Sequence, residues 1–248
     1  MKQQPQLRRM TISVVIPTLD EAESIGATLD AVARVRGLAE VIVVDGGSCD
    51  KTVEIAQKAG VRVITSDAGR GAQMHTGARV AEGTVLWFLH ADTHPLPDAG
   101  NRIIEALSDP GVVGGNFEVR FDGDERAARF LSWLYPHLRQ LGLCYGDSGI
   151  FVRREVYERV GGFRPFPIFE DLDLVRRIRL HGFIERVPSI VRTSSRRFEG
   201  RSFPITFARW AALQMLYWMG VHPRRLAQLY APIRGTRLRT PVDHKGLD

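Results

Sequence analysis

The chain has 248 residues, 44% of them hydrophobic and 25% charged, enough to bury a full core as one α/β domain. Its formal charge of +6 hides an asymmetry: residues 1–175 hold 19 Lys/Arg against 24 Asp/Glu, and residues 176–248 hold 15 against 4. Two cysteines, Cys49 and Cys144, exclude a disulfide framework, and no run of about 20 apolar residues predicts a spanning helix. The basic end has no stacking or groove-reading motif beside it, so anionic lipid or a phosphorylated ligand is expected there and nucleic acid is not. Residues Met1–Met10 lack the apolar core of a signal peptide. Together with reduced thiols, this predicts a cytoplasmic protein.

In chain order, the apolar run Ile12–Ile16 predicts a strand, and Ile25, Leu29 and Val32 recur at helical spacing within residues 21–35. A second strand, Val41–Val44, is followed by a helix that Asp50-Lys-Thr opens and Gly60 stops. Residues 61–64 read as a third strand, 72–81 as a third helix and 85–90 as a fourth strand. This alternation predicts a mostly parallel sheet with helices on both faces. Beyond it come a strand near 112–121, a helix near 125–141, a strand near 148–152, and helices near 153–160 and 170–181. No linker divides two domains.

Three of these strands end in acids: Thr18-Leu-Asp-Glu21, Asp45-Gly-Gly-Ser48 and His90-Ala-Asp-Thr-His94. An open α/β sheet presents its ligands at the carboxyl edge of its strands, so the three acidic ends are expected to share one site. Glu170-Asp171 stands at the start of a helical period; on spacing alone the pair serves equally as helix caps.

Taken in order, Val14–Glu21, Val43–Thr52, Gly69-Arg-Gly-Ala-Gln73, His90-Ala-Asp92, Gly146–Arg154, Val160-Gly-Gly-Phe163 and Phe169-Glu-Asp-Leu-Asp173 resemble the motifs of family 2 glycosyltransferases. The resemblance covers residues 11–185 and implies a single GT-A-like, Rossmann-like domain. Its nucleotide-sugar half would be 11–95 and its acceptor half 96–185, followed by a basic helical extension over 186–248. It further implies inverting, metal-dependent transfer of one sugar from a nucleotide-sugar donor, a UDP-sugar ahead of GDP-mannose, to an acceptor hydroxyl.

By the same resemblance, the backbone of Pro17, Thr18 and Leu19 with Glu21 lines the nucleoside pocket. Asp45 and Gly46 contact base or ribose, Arg70 the diphosphate, and Ala91 and Asp92 the donor. Asp92 holds Mn2+ or Mg2+, the last acid of an acid-x-acid motif whose first position here is His90. A histidine ligand favours manganese, since nitrogen donors favour transition metals; equally, His90 is only packed. Asp171 takes the role of catalytic base, with Glu170 orienting it or the acceptor. Asp147, Arg209 and Trp210 fall on the acceptor side. The Gln-x-x-Arg-Trp motif of processive members is incomplete, because Thr206 stands in the Gln position; single transfer is expected.

Residues 203–221 are rich in aromatics and flanked by Arg192, Arg196, Arg197, Arg201, Arg224 and Arg225. That pattern fits a helix lying on an anionic membrane surface, the inner face for a cytoplasmic protein, with a lipid or isoprenoid alcohol as acceptor. It fits a helix packed on the domain or on another subunit equally well. A zinc site built on His90, Asp92 and His94 is a minor alternative. A nucleotidyltransferase would need a Gly-rich loop with Arg after the first strand. A dinucleotide-binding oxidoreductase would need Gly46-Gly47 to extend to G-x-G-x-x-G. The non-enzymatic alternative is a degenerate transferase that binds nucleotide or membrane without transfer.

Overall fold

The computed structural model describes residues 10–122, 126–140, 145–194 and 203–229. Cys144, Arg196, Arg197, Arg201 and the end of the basic extension over 230–248 lie outside the described residues.

The expected alternation is present. Strands β1 (Ile12–Thr18), β2 (Leu38–Asp45), β3 (Arg62–Thr65) and β4 (Val85–Phe88) alternate with helices α1 (Ile25–Ala33), α2 (Thr52–Lys58) and α3 (Arg70–Val80). Then come β5 (Thr93–Pro95), α4 (Ala99–Ala106), β6 (Val112–Asp122), α5 (Arg126–Gln140), β7 (Phe151–Arg153), α6 (Arg154–Arg159) and α7 (Glu170–Ile178). The described chain closes with β8 (Phe183–Ser194), α8 (Phe203–Trp218) and α9 (Pro223–Leu229).

One eight-stranded sheet runs in the order β3-β2-β1-β4-β7-β6-β8-β5. It is parallel from β3 to β4, antiparallel at β4–β7, β7–β6 and β8–β5, and parallel again at β6–β8. Alternate residues of β1 feed opposite faces. Val14 and Ile16 pack with Ile25, Leu29 and Val32 of α1, whereas Val15 packs with Met74 and Ala78 of α3 and with Leu174 and Ile178 of α7. Both faces are therefore apolar, which is why β1 reads as a continuous hydrophobic run rather than an alternating one.

Three elements escape the periodicity reading. Helix α4 spans only 8 residues and carries Gly100 and Asn101, both poor helix formers. Strand β5 is only 3 residues long. Strand β8 alternates buried and exposed residues along its second half, but Pro188 interrupts it. The ladder tolerates this proline because its register slips between the pairs Asn116–Arg186 and Glu118–Ile190, which places Pro188 in an irregularity. Through β8 the sheet runs on past residue 185 to Ser194.

The C-terminal helices form a third apolar cluster, in which Leu213 and Leu226 meet Tyr145, Ile168, Phe169 and Leu172. One face of α8 is thus packed on the domain. Its other side leaves Ile205, Met215, Trp218 and the following Met219 exposed. No helix among the described residues is long and apolar enough to cross a membrane.

Candidate active site

Because β1, β2 and β4 are parallel neighbours, their carboxyl ends open on one sheet edge, and Thr18 stands in register with Asp45. Asp45 is 2% exposed. Its carboxylate accepts the amides of Gly47 and Ser48 at 2.9 Å each, the Ser48 hydroxyl, and the Thr18 hydroxyl at 3.3 Å. Asp45 therefore shapes its own turn and ties it to Thr18 at the sheet edge, which accounts for a buried charge at this position.

The loop after β1 is stitched to the loop after β2. Asp20, at φ 52°, accepts the Cys49 amide at 2.8 Å, and the Glu21 amide donates to the Thr52 hydroxyl at 2.7 Å. The Ala22 amide donates to Asp50 at 3.0 Å and the Gly46 amide to the Thr18 carbonyl at 2.9 Å. Glu21 accepts the Ser24 hydroxyl at 2.7 Å, at the start of α1. Pro17 is buried within β1 and Leu19 half-buried just past it. Gln73, buried on α3, donates one amide nitrogen to the carbonyls of Thr18 and Val44 at 2.7 and 2.8 Å. Gln73 ends the Gly69-Arg-Gly-Ala-Gln73 motif, where the sequence pattern assigns it no role. Its signal is the residue type, since a buried amide must find partners for its polar atoms.

The turn after β4 carries His90, Ala91 and Asp92. The Ala91 carbonyl accepts the Thr28 hydroxyl at 2.7 Å, tying the turn to α1, and the Thr93 amide closes it on the His90 carbonyl at 3.1 Å. Asp92 is half-buried in this turn. His90 is 9% exposed and its Nδ1 lies 2.9 Å from Asp147 Oδ1. Its Nε2 is buried with no hydrogen-bond partner. Asp147, expected to face the acceptor, is thus the group that holds the His90 ring. His94 leaves this turn in β5, opposite Arg192. Among the described residues no three His, Cys, Asp or Glu side chains are grouped to hold a metal ion, so the zinc alternative has no support.

Asp171 sits beside Asp147. Its Oδ2 accepts the Gly146 amide at 2.6 Å and its Oδ1 accepts its neighbour Leu172's amide at 2.7 Å. Burial, and next the charge of Glu170, push its carboxyl up to about 6, against the pull of Arg70 and of those two amides. A Cβ added at Gly146 would stand 2.7 Å from His90 Nε2 and 3.4 Å from Asp171 Oδ2. The histidine and the carboxylate converge above this glycine, and only glycine leaves that space open.

Glu170 does not turn toward Asp171. Its Oε1 meets Arg70 Nε at 2.9 Å, with the Glu170 side chain 2% exposed and the Arg70 side chain 43% exposed. Successive helix residues project about 100° apart, so the pair addresses two directions: Glu170 toward α3, Asp171 toward the turn Gly146–Ser148. The preceding residue, Phe169, has φ 61°, a left-handed conformation unusual for a bulky residue and a mark of functional sites. Its ring lies 4.9 Å from that of Tyr217 on α8, so the C-terminal helix helps hold this strained residue in place.

Trp210 packs edge-on against Tyr145 at 5.2 Å, immediately before Gly146. Arg209 is exposed and donates to the Leu229 carbonyl at the end of α9. The structure therefore brings together Asp45, Arg70, His90, Asp147, Glu170 and Asp171 along one edge. Trp210 lies behind that edge in the apolar support, and Arg209 ties α8 to α9.

A family model, glycosyl transferase family 2, matches residues 13–161. Glycosyltransferase AglE of Haloferax volcanii is 33% identical over 172 residues, 63% of this chain and 56% of that protein. An uncharacterized glycosyltransferase of Mycobacterium tuberculosis is 37% identical over 110 residues, 42% of each chain. The chain thus spans about half the length of these curated relatives. Among solved structures, glucosyl-3-phosphoglycerate synthase of M. tuberculosis in complex with Mn2+ and UDP-glucose matches with a TM-score of 0.58 at 23% identity. That match covers 86% of this chain and 80% of the other. Staphylococcus aureus TarS in complex with UDP-GlcNAc matches with a TM-score of 0.61 at 16% identity, covering 79% and 61%. These likenesses show the shared fold; the family match, over more than half of the chain, shows the kinship. By sequence, fold and the order of its strand-end motifs, this chain belongs to glycosyl transferase family 2.

Proposed function

We propose that the chain transfers one sugar from a nucleotide-sugar donor, a UDP-sugar, to an acceptor hydroxyl with inversion at the anomeric carbon. The observation that carries this reading is the meeting of Asp171, raised to about 6, with the Arg70–Glu170 and His90–Asp147 pairs at the carboxyl edge of a parallel sheet. Both structural neighbours named above hold a UDP-sugar, which favours UDP over GDP-mannose.

In this reading the loops after β1 and β2, with Pro17, Thr18, Leu19, Glu21, Asp45 and Gly46, hold the nucleoside. Arg70, half-exposed at the N-terminus of α3, meets the diphosphate with a guanidinium beside helix amides, two features that suit phosphate. Asp171 accepts the proton of the acceptor hydroxyl as that oxygen forms its bond to the anomeric carbon. The bond from that carbon to the diphosphate breaks, and its electron pair leaves with the nucleoside diphosphate. A carboxyl near 6 is ionised at neutral pH yet basic enough to take a proton, the balance that general bases need. Fixed donor and acceptor geometry supplies much of the remaining acceleration.

In this reading Asp92 and His90 would hold a divalent metal. Asp92 offers a hard oxygen, and His90 offers a buried nitrogen without a partner, its ring fixed by Asp147 as metal-binding histidines are fixed by carboxylates. This donor pair suits Mn2+ better than Mg2+, and Mn2+ is the ion in the glucosyl-3-phosphoglycerate synthase complex. When bound, the ion would offset charge on the departing diphosphate.

For the acceptor, the exposed Ile205, Met215, Trp218 and Met219 beside the exposed Arg224 and Arg225 favour an alcohol presented at an anionic membrane surface, the inner face for a cytoplasmic protein. The deciding experiment is calorimetry with UDP-glucose, UDP-N-acetylglucosamine, UDP-galactose and GDP-mannose, with Mn2+ or chelator, alongside Asp92→Ala. Metal-dependent binding of one donor, lost in the variant, is expected. A folded protein that binds none of them overturns the transferase reading in favour of a degenerate binding protein.

A further inference from the structure

The adjacent acids Glu170 and Asp171 lie on one helical turn but serve different neighbours. Glu170 is more deeply buried than any other acid named here, at 1% exposed, and such a charge is retained at a cost unless it is paired. Its Oε1 pairs with Arg70 Nε at 2.9 Å. Its Oε2 is buried without a hydrogen bond. The two helix starts are pressed together at this point: a Cβ on Gly71 would stand 2.8 Å from the Arg164 carbonyl and 3.3 Å from Glu170 Cβ. The N-terminus of α3, which carries Arg70, is therefore seated directly on the N-terminus of α7.

An arginine that grips a diphosphate must hold its planar guanidinium at a fixed tilt, because its donors form a rigid fork. A buried carboxylate paired with Nε at 2.9 Å sets that tilt from the side. We propose that Glu170 is a positioning residue for the donor: it orients Arg70 toward the β-phosphate of the nucleoside diphosphate, while Asp171 alone faces the acceptor. The proposal rests on the donor reading given above. It separates two roles that adjacency in the sequence merges. It also makes the first turn of α7 the link between donor loop and base, since Glu170's negative charge and Arg70's positive charge both act on Asp171.

The test compares UMP with UDP, which differ by the β-phosphate alone, by calorimetry in the presence of Mn2+. The wild-type chain should bind UDP more tightly than UMP. Glu170→Gln should leave UMP affinity unchanged, which also reports an intact pocket, and should reduce the gain from the β-phosphate by about tenfold, the worth of one charge-assisted hydrogen bond. Arg70→Ala should reduce it at least as much, and adding Glu170→Gln to Arg70→Ala should change nothing further. Asp171→Asn should keep the full gain. Arg70→Lys retains the charge but not the Nε contact, and it tests the idea even if Glu170→Gln fails to fold: the gain should fall.

An unchanged gain in Glu170→Gln overturns the proposal, as does an equal loss for UMP and UDP, or an additive double variant. So does an Arg70→Lys chain with the full gain. A wild-type chain that gains nothing from the β-phosphate overturns the donor reading itself, which keeps the two failures distinct.

Discussion

The two halves of the sheet are built by different rules. From β3 to β4 every ladder is parallel, and each site loop follows its strand within a few residues. Thr18, Asp45 and the turn at 90–92 reach the edge because parallel neighbours must end on the same side. From β7 to β5 the ladders are mixed, and the site is assembled from distant segments: Asp147 from a short turn, Asp171 from α7, and Tyr217 from α8 behind Phe169. In the function proposed above, the first half is a local device for holding a nucleotide. The second would then be a long-range one for holding the proposed base, its geometry set by packing remote in sequence.

The sharpest way to break this comparison is Asp171→Asn. Turnover should fall by about a thousandfold, within the range general-base catalysis supplies, while UDP affinity stays the same; a parallel loss of UDP affinity would mean that the halves are not separable. In the wild type, kcat should climb as pH rises through about 6, because the base works only when ionised. The linkage has a definite sign. The folded carboxyl lies above its usual 3.8, so the stability it contributes is present below about pH 4 and lost as pH rises through 6. Thermal melts of Asp171→Asn should accordingly show its largest gain over wild type at pH 8 and the smallest at pH 4.

Next in size, Asp147→Asn should weaken Mn2+-dependent UDP binding by about tenfold, the usual cost of losing the carboxylate behind a metal-bound histidine. If binding is unchanged and only turnover falls, His90 belongs to the second half and not to the donor site. Gly146→Ala should then cost about 1–3 kcal/mol of stability, since its Cβ would meet His90 Nε2 at 2.7 Å; denaturant titration reads this. A comparable loss is expected for Gln73→Leu, which removes one buried donor from the carbonyls of Thr18 and Val44, and here donor affinity should fall with stability. The smallest effect belongs to Trp218→Ser, a change at a site 61% exposed. Stability should hold within about 0.5 kcal/mol, while sedimentation with anionic vesicles should decrease if this face meets a bilayer.

The sequence alone determined the family, the βα alternation of the first half and the residues at three strand ends, because each of these is written locally. An apolar run of strand length followed by an acid, or a helical period closed by Gly60, needs no knowledge of distant contacts. The same locality explains what was missed. Strand β8 has no readable identity until β6 accepts its slipped register around Pro188, and β5 exists only because β8 lies beside it. Tertiary structure alone decided that Glu170 pairs with Arg70, 100 residues away in sequence, rather than with its neighbour, and that His90 is held by Asp147. It also decided that one side of the aromatic helix α8 packs behind Phe169. Local pattern specifies which face of an element is apolar; which partner fills that face, and which buried charge finds which counter-charge, is fixed only when the sheet closes and desolvation forces each polar group to choose.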